Sequence, residues 1–449
     1  MILWLPPLCL GACRPAPAQL EPRPGVAGRN VLLVLLDDVG VDRIASYGVH
    51  PRPARTPTLD RLADRGVRFS RAYAFPTCST TRSALLTSRY GRRTGVSHNV
   101  KSDASRGLPH REVTIAEVLG AGAVPYTSAG VGKWHLEPRE VQSVADPLAQ
   151  GFTSFSGPLG NLEADESFHD YTWHVGDGSV QTHTTTYLTT REIDEALALL
   201  QRLPEPWFLY LSLHAPHSPW DPPPDALLAE PLPVSARGLS DRYDAVLEAA
   251  DTELARLMDQ IDPSDTLVMV LGDNGTPGKV TRPPTNPRRA KGTVHEGGIR
   301  VPWIVLGAGV PGGRVIDERI SVVDVLPTLA EMSGIDLDTL PAPIDGHSLW
   351  PLLLDEPHEP RPPVFIEKYF VNGPGASRQA LIEDRYKLIR TGTGDESLFD
   401  LQARRTDGPD LLEAPLSPEA QEAYARLSFQ LDALDRELQG GWLDSPGCR

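Results

Sequence analysis

Two acidic pairs, Asp37-Asp38 and Asp273-Asn274, each close an apolar run of the chain. Four hard oxygen donors converging from two strand ends are what Ca²⁺ or Mg²⁺ requires, with no need of imidazole or thiolate. Asp and Asn are equally ordinary as loop residues and helix caps, and either pair alone reads that way. Two pairs at equivalent positions shift the balance towards a cation site. A second stretch, Pro76-Thr77-Cys78-Ser79-Thr80-Thr81-Arg82, puts a cysteine just ahead of a helix for which Ser79 or Thr80 is the expected N-cap. A nucleophile there faces free backbone N–H groups and the positive end of the helix dipole, a seat for an oxyanion. Arg82 falls in the first turn, able to fold back over the site. The competing reading is a small buried thiol, the usual state of a lone cysteine.

The elements that must position these residues are legible around them. Val31-Leu32-Leu33-Val34-Leu35-Leu36 is apolar without alternation and suits a strand buried on both faces of a parallel sheet. Asp37-Asp38 then stands at its carboxyl end, where open α/β sheets place their ligands. Thr266–Leu271 repeats the pattern ahead of Asp273, and Tyr243, Val246, Leu247, Ala250, Leu254, Leu257, Met258 and Ile261 describe one amphipathic helix before it. Thr56, Pro57 and Gly66 bracket another helix, and Thr114 with Glu117 has the spacing of a capping box. The expected fold is α/β: a large mainly parallel or mixed sheet covered by helices on both faces, with a smaller C-terminal α+β subdomain. Residues 1–30 read as leader and Pro-rich linker, 31–355 as the catalytic domain and 356–449 as the subdomain, divided by proline-rich stretches near 341–343 and 357–363.

Lys and Arg total 43 against 59 Asp and Glu, a net charge of -16, which argues against nucleic acid as a partner. An anionic substrate must instead meet a local basic pocket. Cys9, Cys13, Cys78 and Cys448 suggest no disulfide framework. The first thirteen residues form a short, proline-broken apolar stretch, too short to span a membrane, that reads as an export signal. Leu10-Gly11-Ala12-Cys13 resembles a bacterial lipobox, implying a lipid anchor at Cys13 and a periplasmic or outward-facing location.

Cys78-Ser79-Thr80-Thr81-Arg82 with Ser83-Ala84-Leu85-Leu86-Thr87 resembles the signature of the type I sulfatases, in the alkaline-phosphatase-like superfamily. The resemblance continues, in order, through Thr56–Ala63, Gly132-Lys133-Trp134-His135-Leu136, His214-Ala215-Pro216-His217, Gly272-Asp273-Asn274-Gly275, Lys291-Gly292 with Glu296–Pro302, Asp324–Leu329 and Asp345–Leu349. Thr80 departs from it, standing where the family usually has proline. The resemblance implies hydrolysis of a sulfate ester by formylglycine, made from Cys78 by a formylglycine-generating enzyme. It implies calcium, with magnesium as the substitute, on Asp37, Asp38, Asp273, Asn274 and the modified Cys78. It assigns Arg82 to hold the aldehyde hydrate, Lys133 and Lys291 to bind sulfate oxygens, His135 to assist the hydrate hydroxyls, and His217 to protonate the leaving oxygen, with His214 in support. The implied partner is a sulfated small molecule or glycan. Phosphate or phosphonate ester hydrolysis on the same fold, and a non-catalytic sulfate-ester or glycan binder, are the alternatives. Lys279, Arg282, Arg288 and Arg289 make the stretch 276–290 either a substrate-facing basic loop or a solvated one.

Overall fold

The computed structural model describes residues 28–100, 107–138, 141–176, 179–233, 238–370, 373–402 and 406–443. The expected leader with Cys13, and Cys448, lie outside them. In chain order the strands are β1 (Asn30–Leu36), β2 (Val67–Tyr73), β3 (Thr127–Gly132), β4 (Ser154–Ser156), β5 (Tyr171–His174), β6 (Val180–Thr184), β7 (Trp207–Ser212), β8 (Thr266–Gly272), β9 (Trp303–Gly307), β10 (Arg314–Ser321), β11 (Val364–Lys368), β12 (Arg378–Ile382), β13 (Tyr386–Thr391) and β14 (Glu396–Asp400). The principal helices are α1 (Pro57–Arg65), α2 (Cys78–Thr87), α3 (Ile115–Gly120), α4 (Leu188–Leu200), α5 (Leu239–Met258), α6 (Val325–Met332) and α7 (Pro418–Leu443).

Eight strands form the main sheet in the order β10-β2-β9-β8-β1-β7-β3-β4. All neighbours run parallel except β9, which is antiparallel to both β8 and β2, so the sheet is mixed. Central β1 is buried at every position, as a non-alternating apolar run must be. Its Leu32, Val34 and Leu36 face one layer with residues of α1, α4 and α5, while Val31, Leu33 and Leu35 face the other with residues of α2, α3 and α6. Both faces are therefore covered, as expected. Beyond residue 363 the antiparallel meander β11-β12-β13-β14 packs Phe365, Leu381, Leu388 and Leu398 against Leu427 and Leu431 of α7. Among the described residues no helix is long and apolar enough to cross a membrane.

Local differences from the sequence reading have identifiable causes. Thr56 does precede α1, but its side chain makes no capping bond. The free amides of Thr58 and Leu59 instead donate to the Asp251 carboxylate of α5, both at 2.8 Å. Thr114 and Glu117 form the capping box as read. α5 ends at Met258, leaving Ile261 beyond its last turn. In the 276–290 stretch Arg282 pairs with Asp241 and Asp244 of α5, and Arg289 donates to the carbonyls of Asp407 and Gly408 at 2.9 and 3.0 Å, while Lys279 and Arg288 are exposed.

Candidate active site

The carboxyl ends of four parallel strands meet at one point. Leu36 of β1 lies in register with Gly272 of β8, so Asp37-Asp38 and Asp273-Asn274 leave the sheet side by side. Asp38 has a positive φ of 72°. This turned backbone is held by its amide donating to Asp273 Oδ1 at 2.9 Å and by its carbonyl accepting from the Tyr243 hydroxyl at 2.8 Å. β3 ends in Gly132, followed by Lys133, and β7 ends in Ser212, followed by the His214–His217 turn.

The cysteine arrives from the other direction, on α2. That helix begins at Cys78 itself with Thr77 as N-cap, one or two residues earlier than Ser79 or Thr80 would give. The reason is that Thr80 is already engaged: its hydroxyl pairs with that of Thr77 at 3.1 Å. The Thr81 hydroxyl accepts from the Phe75 amide at 2.9 Å, so both threonine hydroxyls point away from the cysteine. Cys78 is 0% exposed. Its Sγ lies 3.2 Å from Asn274 Oδ1, 3.4 Å from Asp37 Oδ1, 3.5 Å from Lys291 Nζ and 4.0 Å from Asp38 Oδ1.

Three cations, Arg82 and Lys133 buried and Lys291 partly exposed, interleave with the three carboxylates. With α2 starting at Cys78, Arg82 is its fifth residue and not in the first turn as expected; it folds back all the same and bridges Asp37 (3.2 Å) and Asp273 (3.1 Å). Its other nitrogen donates to the Lys133 carbonyl at 2.8 Å and to the Ser212 hydroxyl. Lys133 Nζ contacts Asp37, and Lys291 Nζ contacts Asp38. Burial alone would raise Asp37, but Lys133, His217, Arg82 and Lys291 together hold it well below the usual carboxylate range. Burial and the neighbouring Asp37 push Asp273 up to about 7 despite Arg82. Burial, Asp273 and Asp37 likewise push the Cys78 thiol well above its ordinary value.

The histidines divide. His217 Nε2 stands 3.9 Å from Asp38 Oδ2, while its Nδ1 is paired with the Ser218 carbonyl at 2.8 Å. Burial and Lys133 hold its pKa well below the usual value. His135, at a positive φ of 59°, has Nε2 against the Val100 carbonyl at 3.1 Å. His214 does not reach the carboxylates. Its ring sits edge-on to Phe168 and His217, centroids 5.7 and 5.4 Å away, and its amide donates to the buried Glu192 of α4 at 3.0 Å. Ser212 and Glu192 escaped the sequence reading. Ser212 carried a usable signal, since it ends the apolar run Trp207–Leu211 as Asp37 ends its own; Glu192, in mid-helix, carried none.

Such a site suits a tetrahedral oxyanion: cations flank a buried central atom at a helix N-terminus. Asp37, Asp38, Asp273 and Asn274 are also a chemically apt donor set for a hard divalent cation. The crowding that drives Asp273 up to about 7 is what such a charge would relieve. Asp37, Asp38, Cys78 and His217 bring potential ligand atoms within 4.8 Å of one another.

Comparison with known proteins agrees with this geometry. The family model described as Sulfatase matches residues 29–335. Human arylsulfatase A is 31% identical over 375 residues, covering 75% of this chain and 70% of that protein. Mouse steryl-sulfatase is 30% identical over 438 residues, covering 76% and 67%. The fold matches that of Ps i-CgsB in complex with k-i-k-neocarrahexaose with a TM-score of 0.75 at 23% identity, over 92% of this chain and 93% of that one. A second match, BT4656 in complex with D-glucosamine-2-N,6-O-disulfate, has a TM-score of 0.71 at 18% identity, over 94% and 100%. With its mixed sheet, its buried cysteine among interleaved charges and these relatives, the chain belongs to the sulfatase family of the alkaline-phosphatase-like superfamily and is a sulfuric ester hydrolase.

Proposed function

We propose that Cys78 is oxidised to formylglycine and that the chain uses it, with calcium, to cleave the sulfate ester of a sulfated sugar or other sulfated small molecule. The observation that carries this reading is the position of Sγ, within 3.2–4.0 Å of Asn274, Asp37, Lys291 and Asp38. Asp37, Asp38, Asp273 and Asn274 would hold the cation beside the modified Cys78, and magnesium offers the same hard acceptor chemistry. Bound there, calcium would supply Lewis acidity towards the sulfate oxygens, and the oxidised residue 78 would supply the nucleophilic oxygen.

The chain's own side chains do the rest. Arg82 is locked by Asp37, Asp273, the Lys133 carbonyl and Ser212, so it offsets charge without moving. Lys133 and Lys291, held against different carboxylates, bind sulfate oxygens and stabilise charge that develops on them. His217 donates from Nδ1 to Ser218, which leaves Nε2 to take up the proton that the attacking hydroxyl releases and to deliver it to the leaving oxygen. His135, tied at Nε2 to Val100, keeps Nδ1 as the acceptor for a hydroxyl at position 78. The same reading includes export of the chain, through the leader and lipid-bearing Cys13, to the periplasm or outer face of a bacterial cell, and modification by a formylglycine-generating enzyme. Sulfated saccharides enter as substrate class by analogy with the ligands named for Ps i-CgsB and BT4656.

The test is mass spectrometry of tryptic peptide Ala72–Arg82 from protein made in its native host, run beside turnover with and without a calcium chelator. The expected result is loss of one sulfur and two hydrogens with gain of one oxygen, and turnover that the chelator removes and calcium restores. An intact thiol in turning-over enzyme would sink the formylglycine route.

A further inference from the structure

The site opens to solvent at few of its side chains. Lys291 is 18% exposed and His217 13%, whereas Cys78, Arg82, Lys133 and Asp37 are closed off. A bound ester must therefore direct its alcohol along the edge between Lys291 and His217. On the Lys291 side that edge is built by the C-terminal subdomain. Lys368, the last residue of β11, sends Nζ to the Gly292 carbonyl at 2.9 Å. The Gly292 amide in turn donates to the carbonyl of Pro76, two residues ahead of Cys78, at 2.9 Å. Among the described residues beyond its chain neighbours, the atom that a side chain at Gly292 would meet within 4 Å is that same Nζ, at 3.7 Å.

Phe370 continues the wall. Its ring lies 5.1 Å from that of His98, and Lys368 Nζ stands 5.7 Å from its centroid. The segment is pinned in place: the Tyr369 amide donates to the Ser97 carbonyl at 3.0 Å, and the Ser97 hydroxyl to the Tyr369 carbonyl at 2.8 Å. Asn99, next to His98, brings Oδ1 to 3.5 Å from the amide of Ser79. Two half-buried rings and an ammonium thus adjoin the mouth of the site, fixed to residues immediately flanking Cys78 and Lys291.

We infer that Lys368, Phe370 and His98 form a subsite for the leaving-group side of the substrate, fitted to a saccharide ring bearing a second anionic group beyond the scissile sulfate. The rings give a flat apolar face for the ring of the alcohol, and the ammonium is a point charge for a second sulfate or a carboxylate. A chain of net charge -16 repels polyanions at long range, so a local cation is what would hold one here. The inference rests on Cys78 as the seat of the nucleophile.

Steady-state kinetics of the full chain test it with three probes: 4-nitrophenyl sulfate, a disaccharide with one sulfate, and the same disaccharide with a second sulfate on the adjoining ring. The wild-type chain is expected to prefer the disulfated probe by kcat/KM. Lys368→Met, which keeps the aliphatic stem, should cut that preference about tenfold. Phe370→Ala should raise KM for both disaccharides about fivefold. Lys279→Ala, at an exposed lysine elsewhere, should leave the preference as it is. Turnover of 4-nitrophenyl sulfate with no preference between the disaccharides, or a preference that Lys368→Met leaves intact, overturns the subsite alone. A native-host chain inert towards all three overturns the reading of Cys78 and the subsite with it.

Discussion

His217 and Lys133 look alike as isolated polar residues in the sequence, yet the structure puts them in different places, and the proposed mechanism gives them separable tasks. Lys133 sits inside the charge lattice against Asp37, whereas His217 stands at its edge with one ring nitrogen tied to Ser218. A proton donor to the leaving oxygen matters most when that oxygen is strongly basic. His217→Ala should therefore slow hydrolysis of a sugar sulfate by about 10²–10⁴-fold and that of 4-nitrophenyl sulfate far less. Equal losses on both substrates would remove His217 from that role. Most of this inner group was legible, because its members stand at strand ends or in the first turn of a helix, where sequence pattern and local geometry coincide. Glu192 was not, since its only legible neighbours are those of its own helix, and it meets the His214 amide from 22 residues away.

At the level of elements, α1 shows where local reading stops. Threonine followed by proline marks the start of the helix correctly, but the acceptor for its free amides is Asp251, nearly two hundred residues later on α5. The carboxylate joins two helices of the same layer while capping one of them. Asp251→Ala should lower stability by about 1–2 kcal/mol in urea unfolding, the cost of a lost cap, while Thr56→Ala should cost less. The reverse order would mean that the hydroxyl, not the distant carboxylate, caps the helix. The reversed strand β9 is a similar case: Trp303–Gly307 is as apolar as its parallel neighbours, and nothing within it records its direction.

Across the whole molecule, the meander is fastened to the body by buried charge. Lys387 of β13 reaches Glu296 at 3.0 Å and Asp407 at 3.1 Å, and Arg92 reaches Glu367 of β11 at 2.6 Å. Burial raises Asp407, but Lys387, His295 and the Glu296 amide outweigh it and hold its carboxyl well below the usual range. A depressed carboxylate contributes stability in full above its unfolded value and loses it as pH falls through the folded one. Asp407→Asn should thus lower stability at pH 7 by about 3 kcal/mol, with the difference from wild type shrinking in strong acid. Melting temperatures of both proteins between neutral and acid pH check this, and parallel curves would discount the ion pair.

The complete enclosure of Cys78 also sets a clock. Its carboxylate and amide neighbours come from residues 37–38 and 273–274, so the pocket closes only when a segment made almost two hundred residues later docks beside it. A catalyst large enough to oxidise the thiol has no path to Sγ in the finished protein. On the formylglycine route proposed above, maturation and folding would be competitors for the same interval: slower docking of β8 would lengthen the time for conversion, and a chain that folds too soon would keep its sulfur.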